Sequence, residues 1–324
     1  MASRHLKVAF QMDPIEGIDI KVDSSFRIAF EAQKRGHTIY VYTPDRLSYE
    51  EGLLVASGHK ITLQADSYSP IANSEFISDI HLEEMDVIWL RQDPPFDTAY
   101  ITTTYLLDLV DNAVIFNDPF WVRNLPEKIL VSRFKEFIPP TLISREPDRI
   151  RKFREKYKDI IIKPLYNNGG YGVFKITHND PNLESLCEML CSLSKEPFII
   201  QQFLPAVADG DKRVILINGE VAGAINRVTT GNNVRSNMHV GGVAHDTTLT
   251  ERDLMICDKI SPMLKEKGLI FAGLDIIGGY LTEVNLTSPT GIQEIEYFRS
   301  INIAQTIWDH VETKVLDKSL DKIN

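Results

Sequence analysis

An α/β protein that opens with a parallel sheet is the fold class the sequence predicts, and three observations predict it. Short β-branched runs alternate with helical stretches through the first third of the chain. Charged residues at 25% and hydrophobic residues at 43% are ordinary globular values, which excludes a disordered or fibrous chain. At 324 residues the chain is long enough for about two domains, or one with a large insertion.

The elements follow in order. Leu6 to Phe10 reads as a strand. Asp23 and Ser24 can cap a helix whose Phe26, Ala29, Phe30 and Gln33 share a face, with Gly36 as its stop. Thr38 to Tyr42, Met85 to Leu90 and Ala113 to Asn117 are further strands, so residues 1 to about 120 form an open parallel sheet with helices on its faces. No G-x-G-x-x-G is present, which removes the main support for a nicotinamide-binding reading. A helix then runs through Lys128 and Phe134, and Pro139-Pro140 marks a subdomain seam. A helix from Asp148 to Lys156 precedes a hairpin formed by Ile160 to Lys163, the loop 166–172 and Val173 to Thr177. A helix near 182–194 leads to the strands Phe198 to Leu204, Arg213 to Ile217 and Val221 to Val228. Thr250 caps a helix from Glu251 to Lys267 that stops at Gly268, and Leu269 to Leu286 is the last hairpin. A helix and a short polar tail follow Ser300.

Charge excludes one class of partner. Thirty-five basic against 45 acidic residues give −10 with no basic stripe, so nucleic acid is disfavoured. No apolar run approaches the ~20 residues of a membrane helix, and the first residues lack a signal peptide's apolar core, so the cytoplasm is the expected compartment. The three cysteines cannot form a disulfide framework; Cys187 and Cys191 read as buried or inert thiols.

The loop Asn167-Asn168-Gly169-Gly170-Tyr171-Gly172 is the strongest phosphate signal, because glycine and asparagine let successive N–H groups turn onto an anion. By itself it is a weak signal, and a tight hairpin turn needing positive φ is the reading that wins. Lys163 ends the preceding apolar run, where a lysine is costly unless it faces a cleft or an anion. Lys128 either approaches the same anion or is a solvated helix lysine. Asp211, Lys212 and Arg213 open a strand, supplying a carboxylate for ribose hydroxyls and a guanidinium for a phosphoryl group, or merely a charged turn. Arg227, Arg235 and Asn237 flank a polar loop suited to a carboxylate-bearing substrate, or a surface loop.

The last hairpin carries Asp275, Glu283 and Asn285. A two-residue Gly278-Gly279 turn pairs 275 with 282 and sets the acids on opposite faces. A three-residue loop, 277–279, puts Gly273, Asp275, Glu283 and Asn285 on one face and Leu274, Ile276, Val284 and Leu286 on the other. Only the odd loop separates polar from apolar, so it is the register expected. The result is either three oxygen ligands suited to Mg²⁺ or an acidic edge turned to solvent. As a metal ligand, Asp275 could become Asn with a raised Mg²⁺ requirement and little change in melting temperature.

Taken in this order, the lysines, the Gly-rich loop, the aspartate, the arginine and the Asp…Glu-x-Asn trio resemble the ATP-grasp superfamily of carboxylate–amine ligases. The closer resemblance is to bacterial-type glutathione synthetase, through MDPI (12–15), DSSF (23–26), DPPFDT (93–98), DGDKR (209–213), LKEKGLIFAGLDIIG (264–278) and LTEVNLTSPT (281–290). It implies an N-terminal substrate-binding α/β domain at 1–122, then an ATP-grasp fold of two α+β subdomains, a lid at 123–200 and a catalytic part at 201–315, with a tail at 316–324. Lys128 and Lys163 would contact ATP phosphates under the loop of Asn167, Gly169 and Gly170. Gln201, Gln202, Phe203 and Leu204 would form the adenine hinge, and Asp211 would take the ribose. Asp275, Glu283 and Asn285 would hold Mg²⁺ or Mn²⁺. Arg213, Arg227, Asn237 and Ser288 would face the acyl phosphate or the dipeptide. The implied reaction joins γ-glutamylcysteine to glycine at the expense of ATP, in a homotetramer. Gln92, where a lysine is expected, and Asn167, where glycine is commoner, depart from the family pattern. Another ligase of the superfamily, for a dipeptide or glutamate, and a silent nucleotide-binding regulator are the competing readings.

Overall fold

The computed structural model describes residues 4–66, 69–229 and 242–321. Its first sheet contains β1 (Lys7–Gln11), β2 (Thr38–Tyr42), β3 (Leu47–Glu50), β4 (Leu53–Asp66), β5 (Ser69–His81), β6 (Val87–Leu90) and β7 (Val114–Phe116), in the order β3-β4-β2-β1-β6-β7 with β5 on β4. The parallel centre β2-β1-β6-β7 is the expected one. Helix α1 (Ser24–Lys34) packs on it, capped by the Asp23 carboxylate, which accepts from the Phe26 amide at 2.6 Å. Helices α2 (Thr98–Leu107) and α3 (Pro119–Asn124) follow.

The expectation of an all-parallel sheet is corrected at one edge, where β3, β4 and β5 form an antiparallel meander and β4 runs antiparallel to β2. Strand β5 is largely exposed and polar, so it lacks the apolar run by which a strand covered on both faces is recognised. The single helix expected through Lys128 and Phe134 is also corrected. Pro126 has no N–H to continue α3, so a short α4 (Glu127–Leu130) starts afresh and tightens into a 3-10 turn at Val131–Arg133.

The second sheet, β10-β9-β11-β8, contains β8 (Thr141–Ser144), β9 (Ile160–Pro164), β10 (Phe174–Ile176) and β11 (Phe198–Gln202), all antiparallel. Helices α5 (Pro147–Tyr157) and α6 (Leu183–Leu193) bury Ile150, Leu183, Leu186 and Leu190 against Ile160, Ile162 and Ile200. Alternation along β9 therefore sends Ile161 and Lys163 to the opposite face.

The third sheet, β14-β13-β12-β15-β16, contains β12 (Asp211–Ile217), β13 (Glu220–Val228), β14 (Val243–Asp246), β15 (Phe271–Ile277) and β16 (Tyr280–Asn285). Helix α7 (Glu251–Glu266) starts in a capping box between Thr250 and Asp253 and covers the face of Val214, Leu216 and Leu274. Helix α8 (Ile292–Arg299) covers Ile215, Ile217 and Ile225 on the other face. The polar tail expected from residue 316 is instead helical through Asp321, within α9 (Ile303–Asp321). This helix returns to the first sheet, where the Trp308 indole donates to the Ile28 carbonyl at 2.8 Å and Arg35 pairs with Glu312 at 3.1 Å.

Cys187 is buried under α6, and burial pushes its thiol up to about 11, with Glu184 adding to the shift. Cys257 is buried in α7 and is pushed up to about 12. Thiols so protonated are poor nucleophiles and poor ligands. Changing Cys187 and Cys191 together to Ala is expected to shift the melting temperature more than turnover. A well-folded double variant that had lost more than tenfold in turnover would contradict that placement.

Candidate active site

The second and third sheets face each other across a narrow cavity of about 110 Å³, whose walls include Lys128, Ile161, Lys163, Gly169, Gly170, Gln201, Gln202, Phe203, Leu204 and Glu283. The sequence reaches this geometry by strand alternation and by a turn. Gly169, Gly170 and Gly172 all have positive φ, and a Cβ on Gly172 would come within 2.9 Å of Pro164. The loop therefore folds back over the end of β9. The segment Gln201 to Leu204 is held by its backbone, with the Gln202 amide on the Pro140 carbonyl at 3.0 Å and the Phe203 amide on the Asp159 carbonyl at 2.9 Å.

Lys163 has no hydrogen-bond or ion-pair partner among the described residues. Burial holds its ammonium pKa below the ordinary lysine value, and Lys128 nearby lowers it further. Lys128 donates to the Asn167 carbonyl and to Glu283 at 2.8 Å. Burial alone would lower its pKa, but Glu283 reverses the sign and raises it. Two lysines thus converge on the same cavity, one paired and one not, which is a pattern suited to an incoming anion.

The acid hairpin reaches its register by a different route from the one expected. The turn has two residues, Gly278 and Gly279, both at positive φ, and pairs Ile277 with Tyr280 and Ile276 with Leu281. A bulge then admits Thr282 as an extra residue, so Asp275 pairs with Glu283, Leu274 with Val284 and Gly273 with Asn285. The Thr282 hydroxyl closes the bulge on the Asp275 carbonyl at 3.1 Å. The three-residue loop is therefore corrected, while the pairing of Asp275 with Glu283 stands. Burying Leu274, Ile276, Leu281 and Val284 together decides it, since a carboxylate among them would be uncompensated.

Each acid is met by a cation. Arg213 grips Asp275 through Nε at 2.6 Å and Nη2 at 3.0 Å, and the Arg227 Nη2 reaches it at 3.0 Å and Asp211 at 2.6 Å. Burial alone would raise the Asp275 pKa, but the arginines hold its carboxyl far below the usual carboxylate range. Asp275, Glu283 and Asn285 offer oxygen donors on facing strands, with no His or Cys beside them among the described residues. That donor set fits a hard divalent cation.

Several expected residues fall elsewhere. Asp211 is buried, accepts from Arg227 at 2.6 Å and is not part of this cavity wall. Ser288 lies on the loop after β16, between Thr287 and Pro289. Asn237, like Arg235, lies outside the described residues. Two residues were missed by sequence reasoning. Arg91 is buried at the end of β6, donating to the Ser25 hydroxyl at 2.9 Å and to the Pro289 carbonyl at 3.0 Å. Its signal was the one that marked Lys163, a cation closing an apolar run. Glu127, next to Lys128, has no comparable local signal. Gln92 is buried, its Oε1 accepting from Gln11 at 2.5 Å and from the Thr103 hydroxyl at 3.2 Å.

The fold and the paired lysines, loop and acid hairpin first define a class. D-cycloserine synthetase DcsG shares the fold at a TM-score of 0.66 and 13% identity, over 94% of this chain and 99% of its own. ATP-grasp ligase PsnB complexed with minimal precursor does so at 0.61 and 17%, over 95% and 99%. The chain has the ATP-grasp fold, preceded by an α/β domain. The family models for the prokaryotic glutathione synthetase N-terminal domain and ATP-grasp domain match residues 6–123 and 127–300. Glutathione synthetases of Mesorhizobium japonicum and Brucella melitensis are 49% and 50% identical over 310 and 316 residues, 95% of this chain and 99% of each relative. That of Vibrio parahaemolyticus is 39% identical over 315 residues, 96% of this chain and 99% of its own. The chain belongs to the prokaryotic glutathione synthetase family.

Proposed function

We propose that the chain is an ATP-dependent ligase that joins γ-glutamylcysteine to glycine, giving glutathione, ADP and phosphate. The observation that carries this reading is the convergence of Lys128, Lys163, the Gly-rich loop and Glu283 on one cavity, with Asp275 paired to Glu283 across the strands, in a chain of this family. A carboxylate is a poor electrophile, so it first takes the γ-phosphoryl group of ATP and becomes an acyl phosphate. The glycine amine then attacks the acyl carbon, and the tetrahedral intermediate expels phosphate as the amide forms. The residues that do this work by position and charge. Lys163 supplies an unpaired ammonium, and Lys128 gives up Glu283 for a phosphate oxygen. Gln201 to Leu204 receive the adenine, and Asn167, Gly169 and Gly170 close over the phosphates. Asp275, Glu283 and Asn285 would hold Mg²⁺ or Mn²⁺, which would neutralise charge on the phosphates. Arg213 and Arg227 fix Asp275 beneath that charge, and Asn237 and Ser288 are assigned to the dipeptide side.

Residues 1–122 bind the peptide in this reading, 123–200 form the lid and 201–315 the catalytic part. A cavity of about 1430 Å³ lies between Phe96 and Ile101 on one side and Phe174, Met189 and Leu193 on the other, and in this reading it is the space into which the lid moves. The active form is a cytoplasmic homotetramer. Phosphate release with ATP, γ-glutamylcysteine and glycine tests the reaction, run in parallel with alanine or serine in place of glycine. Release dependent on both the dipeptide and glycine is expected. Release with another acceptor pair alone would point to a different ligase of this fold, and none at all to a silent nucleotide binder.

A further inference from the structure

Glu127 is a partly buried carboxylate to which the reaction above gives no part. It stands in the first turn of α4, one residue before Lys128. One of its oxygens, Oε1, accepts from the Leu286 amide at 2.6 Å, the Thr287 amide at 2.9 Å and the Thr287 hydroxyl at 2.9 Å. Those donors immediately follow Asn285, at the end of β16. Helix α4 and β16 are therefore joined at two points, by Glu127 beyond the strand end and by the Lys128–Glu283 ion pair at 2.8 Å within it.

The two joints differ in what a bound nucleotide does to them. In the reaction proposed above Lys128 gives up Glu283 for a phosphate oxygen, so the second joint opens when substrate arrives. The first has no reason to open, because two of its three donors are backbone amides that would otherwise lose their partner. We propose that Glu127 is a positioning residue that keeps Lys128 at a fixed spacing from Glu283 and Asn285 while Lys128 exchanges the carboxylate for a phosphate. The proposal rests on the assignment of Lys128 to the phosphates. It acts through hydrogen bonds rather than charge, since an amide oxygen at the place of Oε1 could accept from the same three donors.

The test is a double-variant cycle between Glu127→Ala and Lys128→Met, read by calorimetric binding of ADP with Mg²⁺ and by kcat and the ATP KM. Glu127→Ala is expected to weaken ADP binding and raise the ATP KM at least tenfold. Glu127→Gln should stay within threefold of wild type. In the Lys128→Met background, Glu127→Ala should add less than twofold, because the residue it positions is gone. Full additivity in the double variant would reduce Glu127 to a purely structural role and overturn the proposal, as would a Glu127→Gln variant as impaired as Glu127→Ala. If Glu127→Ala does not fold, Glu127→Asp, which withdraws the carboxylate by one methylene, takes its place in the same cycle. Wild-type binding in Lys128→Met would remove the phosphate assignment and the proposal with it. Weak binding in Lys128→Met with wild-type binding in Glu127→Ala would remove the proposal alone.

Discussion

Asp275→Asn is expected to abolish turnover and to lower the melting temperature by several degrees. Asp275 is 3% exposed and accepts from two guanidiniums at once. Asparagine keeps the volume but offers one acceptor oxygen, and turns an NH₂ toward a cation. Breaking a buried ion pair by changing one partner costs on the order of 3 kcal/mol. Hairpin patterning alone led to little change in melting temperature, since it showed Asp275 only as a metal ligand; the arginines reverse that expectation. The pH dependence has a definite sign. Burial opposes ionisation, but Arg213 and Arg227 outweigh it and depress the native pKa, so this stabilisation is present above the ordinary carboxylate value and is lost as pH falls toward the native one. The gap in melting temperature between wild type and variant is therefore full at pH 7 and narrows below about 4. Melts across that range check it, and a variant that melts with wild type at pH 7 would refute the ion-pair account.

Lys163→Met should do the opposite to stability while removing function. Burial already disfavours the charged lysine, and Lys128 adds to that, so a neutral side chain of similar length leaves the melting temperature unchanged or raised. Nucleotide affinity or turnover is expected to fall at least tenfold, which is about 1.4 kcal/mol. The carrying observation is an ammonium on the cavity wall without a partner among the described residues. ADP binding by calorimetry, alongside thermal melts, measures both halves. Unchanged ADP binding and turnover would sink the assignment of Lys163 to the phosphates.

These two residues show where local pattern is enough and where it stops. Lys163 was legible because strand alternation and a glycine-rich turn are properties of neighbouring residues: Ile160 and Ile162 face the helices, so Lys163 must face the other way. The pairing of Asp275 with Glu283 was legible for the same reason, because only one register keeps carboxylates out of the apolar face. The turn that delivers it was not, since a two-residue turn followed by a bulge at Thr282 segregates the faces as well as an odd loop does. The meander β3 to β5 escaped because an exposed, polar edge leaves no apolar run to read. Helix α9 had a readable helical pattern, but its packing against α1 depends on contacts about 280 residues apart.

By itself, the sequence determined the parallel centre of the first sheet, the Gly-rich hairpin, the capped helices and which acids share a face, because each follows from a period of two, a period of 3.6 or a turn residue. Only the tertiary structure decided which cation meets which acid. Lys128 reaches Glu283 across 155 positions of chain, Arg213 and Arg227 share Asp275, and Glu127 holds the end of β16. Charges carry no periodicity of their own. Their partners are set by the order of strands and the placement of helices, which bring distant side chains within hydrogen-bond reach and out of water, where pairing rather than pattern governs the energy.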